Sequence, residues 1–134
     1  MKTLINIDVP DVHLASVFYQ AALGLVQSRL LDDDTLELSG GSSTIYLLQK
    51  PAGSVATSET SPAATATRSY ARHWTPVHLD FVVDDLAAAA ERAIHAGAKQ
   101  ESECVEWRGS RCISFSDPFG HGFCLIAFDG ETYR

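Results

Sequence analysis

One pattern occurs twice in this sequence, with the second copy about 74 positions after the first. Each copy begins with alternating apolar and polar residues, continues through an Asp into a helical pattern, and ends at a Gly. The first copy runs from Leu4 to Gly24 and the second from His78 to Gly97. Because alternation of period two places one set of side chains against a hydrophobic layer, the other set lies on the opposite face of the sheet. Two such polar faces side by side would enclose a hollow, which favours a small-molecule site.

Length and charge limit what this chain does. Its 134 residues match one domain, 1–134, in which each repeat is a half-domain too small to bury a core of its own. The formal net charge of −7 disfavours nucleic acid and anionic membranes as partners, since both are bound by concentrated Lys and Arg. The sequence contains no apolar run of about 18 residues and no basic leader, so we expect a cytoplasmic protein without a membrane span.

Apolar residues at helical spacing predict one helix in each repeat. The first follows Asp11, a favourable N-cap, ends at Gly24, and has this apolar face: Leu14, Val17, Phe18, Ala21 and Leu25. The second follows Asp85, ends at Gly97, and has this apolar face: Leu86, Ala89, Ala90, Ala93 and Ile94. Runs bounded by turn residues predict three strands after each helix: 26–31, 35–38 and 44–49, then 100–107, 111–116 and 122–128. Each half is therefore predicted to be βαβββ.

The two halves are joined by a segment without periodicity. Residues 51–67 are rich in Ala, Ser, Thr and Pro, and a loop of this length is typical of a disordered linker or a lid. We predict one module at 1–50, a flexible linker at 51–74 and a second module at 75–134. The exit of the linker is aromatic and basic, and its Trp74 either anchors the linker to the core or folds over the hollow between the modules.

Three segments carry a family resemblance: 7–11 (IDVPD), 77–86 (VHLDFVVDDL) and 117–125 (DPFGHGFCL). Through them the chain resembles the glyoxalase/bleomycin-resistance/dioxygenase family of the vicinal oxygen chelate superfamily, over nearly its whole length outside the linker. The resemblance implies an α+β fold of two tandem βαβββ modules that form a cup-shaped, mostly antiparallel sheet. The DPFG part also has a mechanical explanation as a turn before the last strand, so we interpret it as structural and not catalytic.

Enzymes of that family usually hold a divalent metal with four side chains, one on the first and fourth strand of each module. The resemblance places the typical set of His or Gln, Glu, His and Glu on Leu4, Tyr46, His78 and Cys124. Only His78 matches this set. Leucine has no lone pair, and imidazole with thiolate and phenol suits an octahedral or oxygen-preferring metal poorly, so we expect no catalytic metal.

An alternative is a divalent metal held by other residues of the polar faces. Asn6 and Asp8 are spaced i, i+2 on one strand, as are His78 and Asp80 on its counterpart, and each pair therefore shares a face. The competing explanation is that these groups hydrogen-bond to neighbours or to water, as polar side chains commonly do. His78 is either a pocket residue that acts near neutral pH or a histidine satisfied by a neighbour.

The remaining histidines and cysteines have structural explanations. The histidines on the helices lie at solvent-facing positions, and His121 sits in a turn. Cys104 and Cys112 flank a predicted hairpin turn at 108–109. An odd number of cysteines without metal-ligand spacing predicts free thiols.

Three functions are compatible with this sequence. The first, which we predict, is a family member comparable to bleomycin-resistance proteins that binds a small, partly aromatic organic molecule without a catalytic metal. The second is a lyase, isomerase or dioxygenase of the same superfamily that uses a non-standard metal set or His78 as an acid-base group. The third is a structural or regulatory protein whose hollow is filled by its own side chains.

The predicted binding function also defines the partners. We expect a small-molecule ligand and a second copy of the chain, because the family often forms dimers and exposed sheet edges favour a twofold partner. We expect neither nucleic acid nor membrane. The predicted ligand-binding residues are Asn6, Asp8, Tyr46, Trp74, His78, Asp80 and Cys124.

Overall fold

The chain divides into two compact units in the computed structural model, which describes residues 1–58, 60 and 66–134. The first unit contains residues 1–20 and 24–71, and the second contains residues 21–23 and 72–134. The part of the chain so described holds two helices and two small sheets, which confirms the predicted α+β class. Neither of these two helices has the length and apolar character needed to cross a membrane.

The first half of the chain has the predicted order of strand, helix and three strands. Its elements are β1 (Leu4–Val9), α1 (Val12–Leu23), β2 (Val26–Leu31), β3 (Thr35–Ser39) and β4 (Thr44–Gln49). The sheet order is β1-β4-β3-β2, in which β1 and β4 run parallel and the other neighbours antiparallel. The three strands after α1 agree with the predicted ones to within one residue.

The second half repeats this order with one difference. Its elements are β5 (Leu79–Val82), α2 (Leu86–Ala96), β6 (Lys99–Gln100), β7 (Val105–Trp107), β8 (Ser110–Ser116) and β9 (Gly122–Phe128). The sheet order is β5-β9-β8-β6, with β7 also paired to β8. As in the first sheet, one pair of neighbours, β5 and β9, runs parallel.

The strand predicted at 100–107 is wrong as a single element, because it is divided into β6 and β7. Between the two, the hydroxyl of Ser102 accepts a hydrogen bond from the backbone N–H of Ser114 at 2.9 Å. The N–H of Glu101 still donates to the carbonyl of Ser114 at 2.8 Å. A side-chain oxygen thus accepts the hydrogen bond that a backbone carbonyl would accept in a continuous strand. The edge strand is interrupted at this point.

Both helices begin and end at the predicted residues. The Asp11 carboxylate caps α1 by accepting hydrogen bonds from two N–H groups of its first turn, at 2.9 and 3.0 Å. Asp85 caps α2 through one N–H at 3.0 Å. Gly24 and Gly97 follow the helices with φ of 67° and 116°, a region that a residue without Cβ adopts without strain.

The apolar face predicted for α1 is wrong in part. Three residues of the predicted face are exposed: Leu14 to 62%, Val17 to 67%, and also Ala21. The buried stripe consists of Val12, Ala15, Phe18, Tyr19 and Ala22. Because α1 has apolar residues on more than one face, the helical spacing of the sequence fits two different apolar stripes. Spacing alone therefore does not identify the buried stripe. In α2 the predicted stripe is confirmed except at Ile94, which is 48% exposed.

The two ends of the predicted linker are joined by backbone hydrogen bonds. Residues 59 and 61–65 also belong to this linker and lie outside the described part of the chain. The N–H of Gly53 donates to the carbonyl of Arg68 at 2.8 Å, and the N–H of Arg68 donates to the carbonyl of Ser54 at 2.9 Å. These bonds pair the start and the end of the segment in antiparallel fashion.

Candidate functional site

The predicted residues of the first sheet lie on the face opposite its buried side chains. In β1, Ile7 and Val9 are buried, and Asn6 and Asp8 alternate with them. Tyr46 on β4 is the register partner of Asn6. The alternation predicted from the sequence therefore holds in this sheet, and it collects polar side chains on one face.

Asp8 forms an ion pair with the chain at the end of the linker. Arg68 Nε lies 2.7 Å from Asp8 Oδ2, and the Arg68 side chain is only 17% exposed. Its Nη1 donates to the Ser54 hydroxyl at 3.2 Å and to the Val55 carbonyl at 2.5 Å. Through Arg68, the Asp8 carboxylate ties both ends of this segment to β1.

Tyr46 belongs to a hydrogen-bonded group centred on Glu37. Its hydroxyl donates to Glu37 Oε2 at 2.8 Å, and Arg29 donates to both carboxylate oxygens at 2.9 and 2.6 Å. Hydrogen bonds from Arg29, then Tyr46 and Ser28, lower the pKa of Glu37 to about 2. The hydrogen bond to Glu37 raises the pKa of Tyr46 above its ordinary value. Tyr46 is therefore a protonated hydrogen-bond donor at neutral pH and not a phenolate ligand.

Glu37 is a polar-face residue that the sequence analysis did not identify. Its neighbours Leu36 and Leu38 are fully buried, and Glu37 alternates with them along β3. The alternation of Glu37 with two leucines is the sequence pattern that would have predicted its position on the same face as Tyr46.

The second unit brings three predicted residues together at the start of β5. Asp80 and Cys124 are register partners on the parallel strands β5 and β9, and His78 directly precedes β5. His78 Nε2 lies 3.2 Å from Asp80 Oδ1. One ligand atom from each of the three residues lies within 4.8 Å of the other two. This grouping of His78, Asp80 and Cys124 is called the β5 cluster below.

Further polar side chains from β8 lie beside Cys124. Ser114 is its register partner, and the Ser114 hydroxyl oxygen lies 3.5 Å from Cys124 Sγ. Burial, followed by the charge of Cys124 and the hydrogen bond to it, raises the pKa of Cys112 to about 12. Cys112 is therefore a protonated thiol at neutral pH. Cys104, Cys112 and Cys124 are all free thiols.

A cavity of about 160 Å³ adjoins the β5 cluster within the second unit. Its lining combines His78, Ser114 and Cys124 with the aromatic rings of Trp74 and Phe123. Trp74 is 81% exposed, so the alternative in which it anchors the linker to the core is wrong. Its indole lines this cavity and offers an apolar face to solvent.

Arg72 and Glu101 form an ion pair in the wall of the same cavity. Arg72 Nε lies 2.9 Å from Glu101 Oε2, and Nη2 lies 2.8 Å from Oε1. The hydrogen bond from Arg72 lowers the pKa of Glu101. The guanidinium occupies space that a side chain at Gly122 would fill, since a Cβ there would come 2.6 Å from Nη2. The sequence did not identify Glu101 as a residue of this site, because its ion-pair partner Arg72 lies 29 positions away.

His121 belongs to the turn before β9 and not to the cavity wall. The buried Asp117 accepts hydrogen bonds at Oδ1 from the N–H groups of Phe119 and His121, at 2.8 and 2.9 Å. Its Oδ2 lies 2.8 Å from His121 Nδ1. Both carboxylate oxygens therefore hold the turn together, which agrees with a structural role for this segment.

The residues that the family resemblance places at the four metal positions do not offer the family's typical donor set. The Leu4 side chain has no atom that can bind a metal, and the Tyr46 hydroxyl donates a hydrogen bond to Glu37. His78 and Cys124 remain, with one nitrogen and one sulfur. An octahedral, oxygen-preferring cation takes about six oxygen ligands, so this set does not suit it.

Comparison with known proteins places this fold in a family. A family profile described as a glyoxalase-like domain matches residues 4–126. No match was found among curated protein sequences. A glyoxalase/bleomycin resistance protein/dioxygenase family enzyme from Burkholderia phytofirmans PsJN is 19% identical with a TM-score of 0.70, and the match covers 93% of this chain and 96% of that one.

Two further solved structures show the same fold. A lactoylglutathione lyase from Agrobacterium tumefaciens is 19% identical with a TM-score of 0.65, covering 95% of this chain and 92% of that one. A genomically encoded fosfomycin resistance protein from Listeria monocytogenes is 19% identical with a TM-score of 0.69 and has the same coverage. Since the family profile spans most of the sequence, the chain belongs to the glyoxalase-like family of the vicinal oxygen chelate superfamily.

Proposed function

We propose that this protein binds a small, flat organic molecule in the cavity of its second unit, without the metal centre of the family's enzymes. The observation that carries the proposal is that Trp74, which is 81% exposed, lines a cavity together with His78 and Ser114. An aromatic face beside a few polar groups is the usual composition of a small-molecule site. Two similar structures named for bleomycin or fosfomycin resistance also favour a small-molecule ligand.

The cavity favours a ligand without a strong charge. The one arginine in its lining, Arg72, is paired with Glu101, so the two side chains together contribute no net charge. The remaining polar groups of the lining are two hydroxyls, an imidazole, a thiol and the indole N–H of Trp74. At about 160 Å³ the cavity is smaller than the roughly 300–1,000 Å³ of drug-sized sites, which favours a single-ring molecule.

Tryptophan fluorescence provides a direct test, because the chain contains only Trp74 and Trp107. In the Trp107→Phe variant, a bound aromatic ligand should change the emission of the remaining tryptophan and raise the melting temperature by linkage. Trp74→Ala should lose the binding, and the matched Trp107→Phe variant should keep it. The ligands are screened in the presence of EDTA, so that any binding observed does not require a metal ion.

Two results would contradict the proposal. One is a ligand that raises the melting temperature of Trp74→Ala as much as that of the wild type. The other is a broad library of single-ring compounds in which none changes the melting temperature or the fluorescence. We also propose that the protein forms a homodimer and is located in the cytoplasm. Native mass spectrometry of the same samples measures the number of subunits.

A further inference from the structure

Three arginines meet at the end of the β7–β8 hairpin, where they line a cavity of about 280 Å³. Arg108 lies in the turn, Arg111 lies on β8, and Arg134 belongs to the segment after β9. These positive charges lie close together although the chain carries a net charge of −7. The cavity lined by these three residues is called the arginine cavity below. It lies within the second unit and shares no lining residue with the cavity beside Trp74.

Arg108 has a backbone conformation that arginine rarely adopts. Arg108 and Gly109 form the two-residue turn between β7 and β8, and their φ angles are 46° and 77°. A type I′ turn requires positive φ at both positions and usually has Asn, Asp or Gly before the second Gly. The turn therefore gives no structural reason for an arginine at this position. Backbone strain at a residue of this kind is typical of ligand sites.

The guanidinium groups keep hydrogen-bond donors for a ligand. Arg108 Nη1 donates to the backbone oxygen of Arg134 at 2.9 Å, and Arg134 Nη2 donates to Asp129 Oδ2 at 2.8 Å. Because a guanidinium has five N–H groups, most donors of both side chains remain available. Within the described part of the chain, Arg111 forms no ion pair, although its register partner Glu106 also lines the cavity.

The charges and donors of the arginine cavity favour an anion with several oxygens. The three guanidinium groups outnumber the two carboxylates of the lining, Glu106 and Asp129, so one positive charge is in excess. Arginine binds phosphate through pairs of parallel N–H···O bonds. A phosphate group has enough oxygens to accept from three guanidinium groups at once, whereas a carboxylate has only two. These properties favour phosphate over a carboxylate ligand.

We propose that the arginine cavity binds a phosphate group, either as free inorganic phosphate or as part of a small phosphate monoester. At about 280 Å³ it lies near the lower end of small-molecule sites, which are roughly 300–1,000 Å³. This site is separate from the cavity in which the uncharged organic ligand is proposed to bind. The two proposals therefore do not depend on each other.

The fluorescence of Trp107 provides a test, because Arg108 Cζ lies 5.5 Å from the centre of its ring. The Trp74→Phe variant retains Trp107 as its single tryptophan and serves as the parent protein. Inorganic phosphate should change its emission along a saturating curve, whereas chloride at equal ionic strength should not. Phenyl phosphate is titrated in parallel to identify the source of the group. Tighter binding than inorganic phosphate indicates a monoester, and weaker binding indicates the free ion.

The Arg108→Asn substitution separates binding from folding. Asn-Gly is a preferred sequence for this turn, so we expect the variant to keep the melting temperature of the parent. It should bind inorganic phosphate at least about tenfold more weakly, because a charged hydrogen-bond donor is lost. Arg111→Gln should weaken binding by a similar factor. Arg92→Gln removes the same charge from an exposed position of α2 and is the matched control, which should bind like the parent.

Three results would overturn the proposal: a folded parent protein without a saturable response to phosphate, undiminished binding in both Arg108→Asn and Arg111→Gln, or an equal loss of binding in Arg92→Gln. The last result would show that phosphate responds only to the overall charge. Melting curves identify any variant that fails to fold, and Arg111→Gln alone must then show the loss. Because the titration uses a protein without Trp74 and a charged probe, its failure leaves the proposed function intact.

Discussion

Tyr46 and Glu37 are joined by a 2.8 Å hydrogen bond between neighbouring strands, whose register places them directly opposite each other. The family resemblance places a metal ligand at the position of Tyr46. Here the phenol helps Arg29 to hold the Glu37 carboxylate in place. This polar face is therefore ordered by hydrogen bonds among its own side chains.

The Glu37 group should make stability depend on acid pH. Its folded-state pKa of about 2 lies below the ordinary value of 4.5, so its stabilising contribution is present above pH 4.5 and is lost as the pH falls toward 2. We expect the melting temperature of the wild type to exceed that of Glu37→Gln by a constant amount near neutral pH, and this difference to shrink below pH 4.5. Thermal melts between pH 7 and pH 2 measure it. In an Arg29→Gln background the difference should be smaller, and an unchanged difference down to pH 2 would contradict the assignment.

The Asp8 and Arg68 ion pair should control the order of the paired ends of the linker. We expect Asp8→Asn to raise the amide hydrogen-exchange rates of Gly53 and Arg68, whose N–H groups join these ends. Exchange measured by NMR reports them individually. Asp33→Asn, which removes the same charge from the turn between β2 and β3, is the matched control. Equal exchange in both variants would show that the ion pair does not hold the segment.

Two glycines face arginine side chains at the same distance but differ in backbone conformation. A Cβ at Gly122 would lie 2.6 Å from Arg72 Nη2, and a Cβ at Gly109 would lie 2.6 Å from Arg134 Nε. Only Gly109 has a positive φ, of 77°. We expect Gly109→Ala to cost about 1–3 kcal/mol, because an L residue is strained there.

Gly122→Ala should cost less, within about 1 kcal/mol, because it displaces the mobile end of Arg72 and breaks an exposed ion pair. Urea denaturation of both variants gives the comparison. A larger loss in Gly122→Ala than in Gly109→Ala would show that packing of Arg72, and not backbone strain, dominates.

Phe81 in β5 and His78, which directly precedes this strand, should respond differently to truncation. Phe81 packs edge-to-face on Phe123 at 5.9 Å, and we expect Phe81→Ala to destabilise the protein by about 3 kcal/mol. The His78 side chain is 58% exposed, and His78→Ala should change stability by less than about 0.5 kcal/mol. Denaturant unfolding measures both. Equal losses would mean that His78 is a packing residue of the core.

Features whose causes lie within a few residues were predicted from the sequence. Asp11 and Gly24 act on adjacent backbone groups, so the bounds of α1 followed from them. Strand alternation likewise predicted that His78 and Asp80 share a face. The sequence did not decide which stripe of α1 is buried, because Leu14 and Val17 satisfy the helical spacing as well as the residues that are buried.

Features that depend on distant partners were not predicted. Asp8 and Arg68 are 60 positions apart, and Arg72 and Glu101 are 29 positions apart, so no local pattern relates the members of either pair. The division of one predicted strand into β6 and β7 depends on the Ser102 hydroxyl, which accepts a hydrogen bond from the backbone N–H of Ser114 on β8. Polar side chains that meet such distant partners only in the folded protein cannot be recognised from the periodicity of the sequence.

The break between β6 and β7 also affects how the second sheet meets other chains. A continuous edge strand offers a row of unpaired N–H and C=O groups on which a foreign strand can add, and this is a common route to aggregation. Here the edge beside β8 consists of pieces of two and three residues. Such short pieces do not template a strand of ordinary length, so the hydroxyl of one serine protects this edge of the sheet against strand addition.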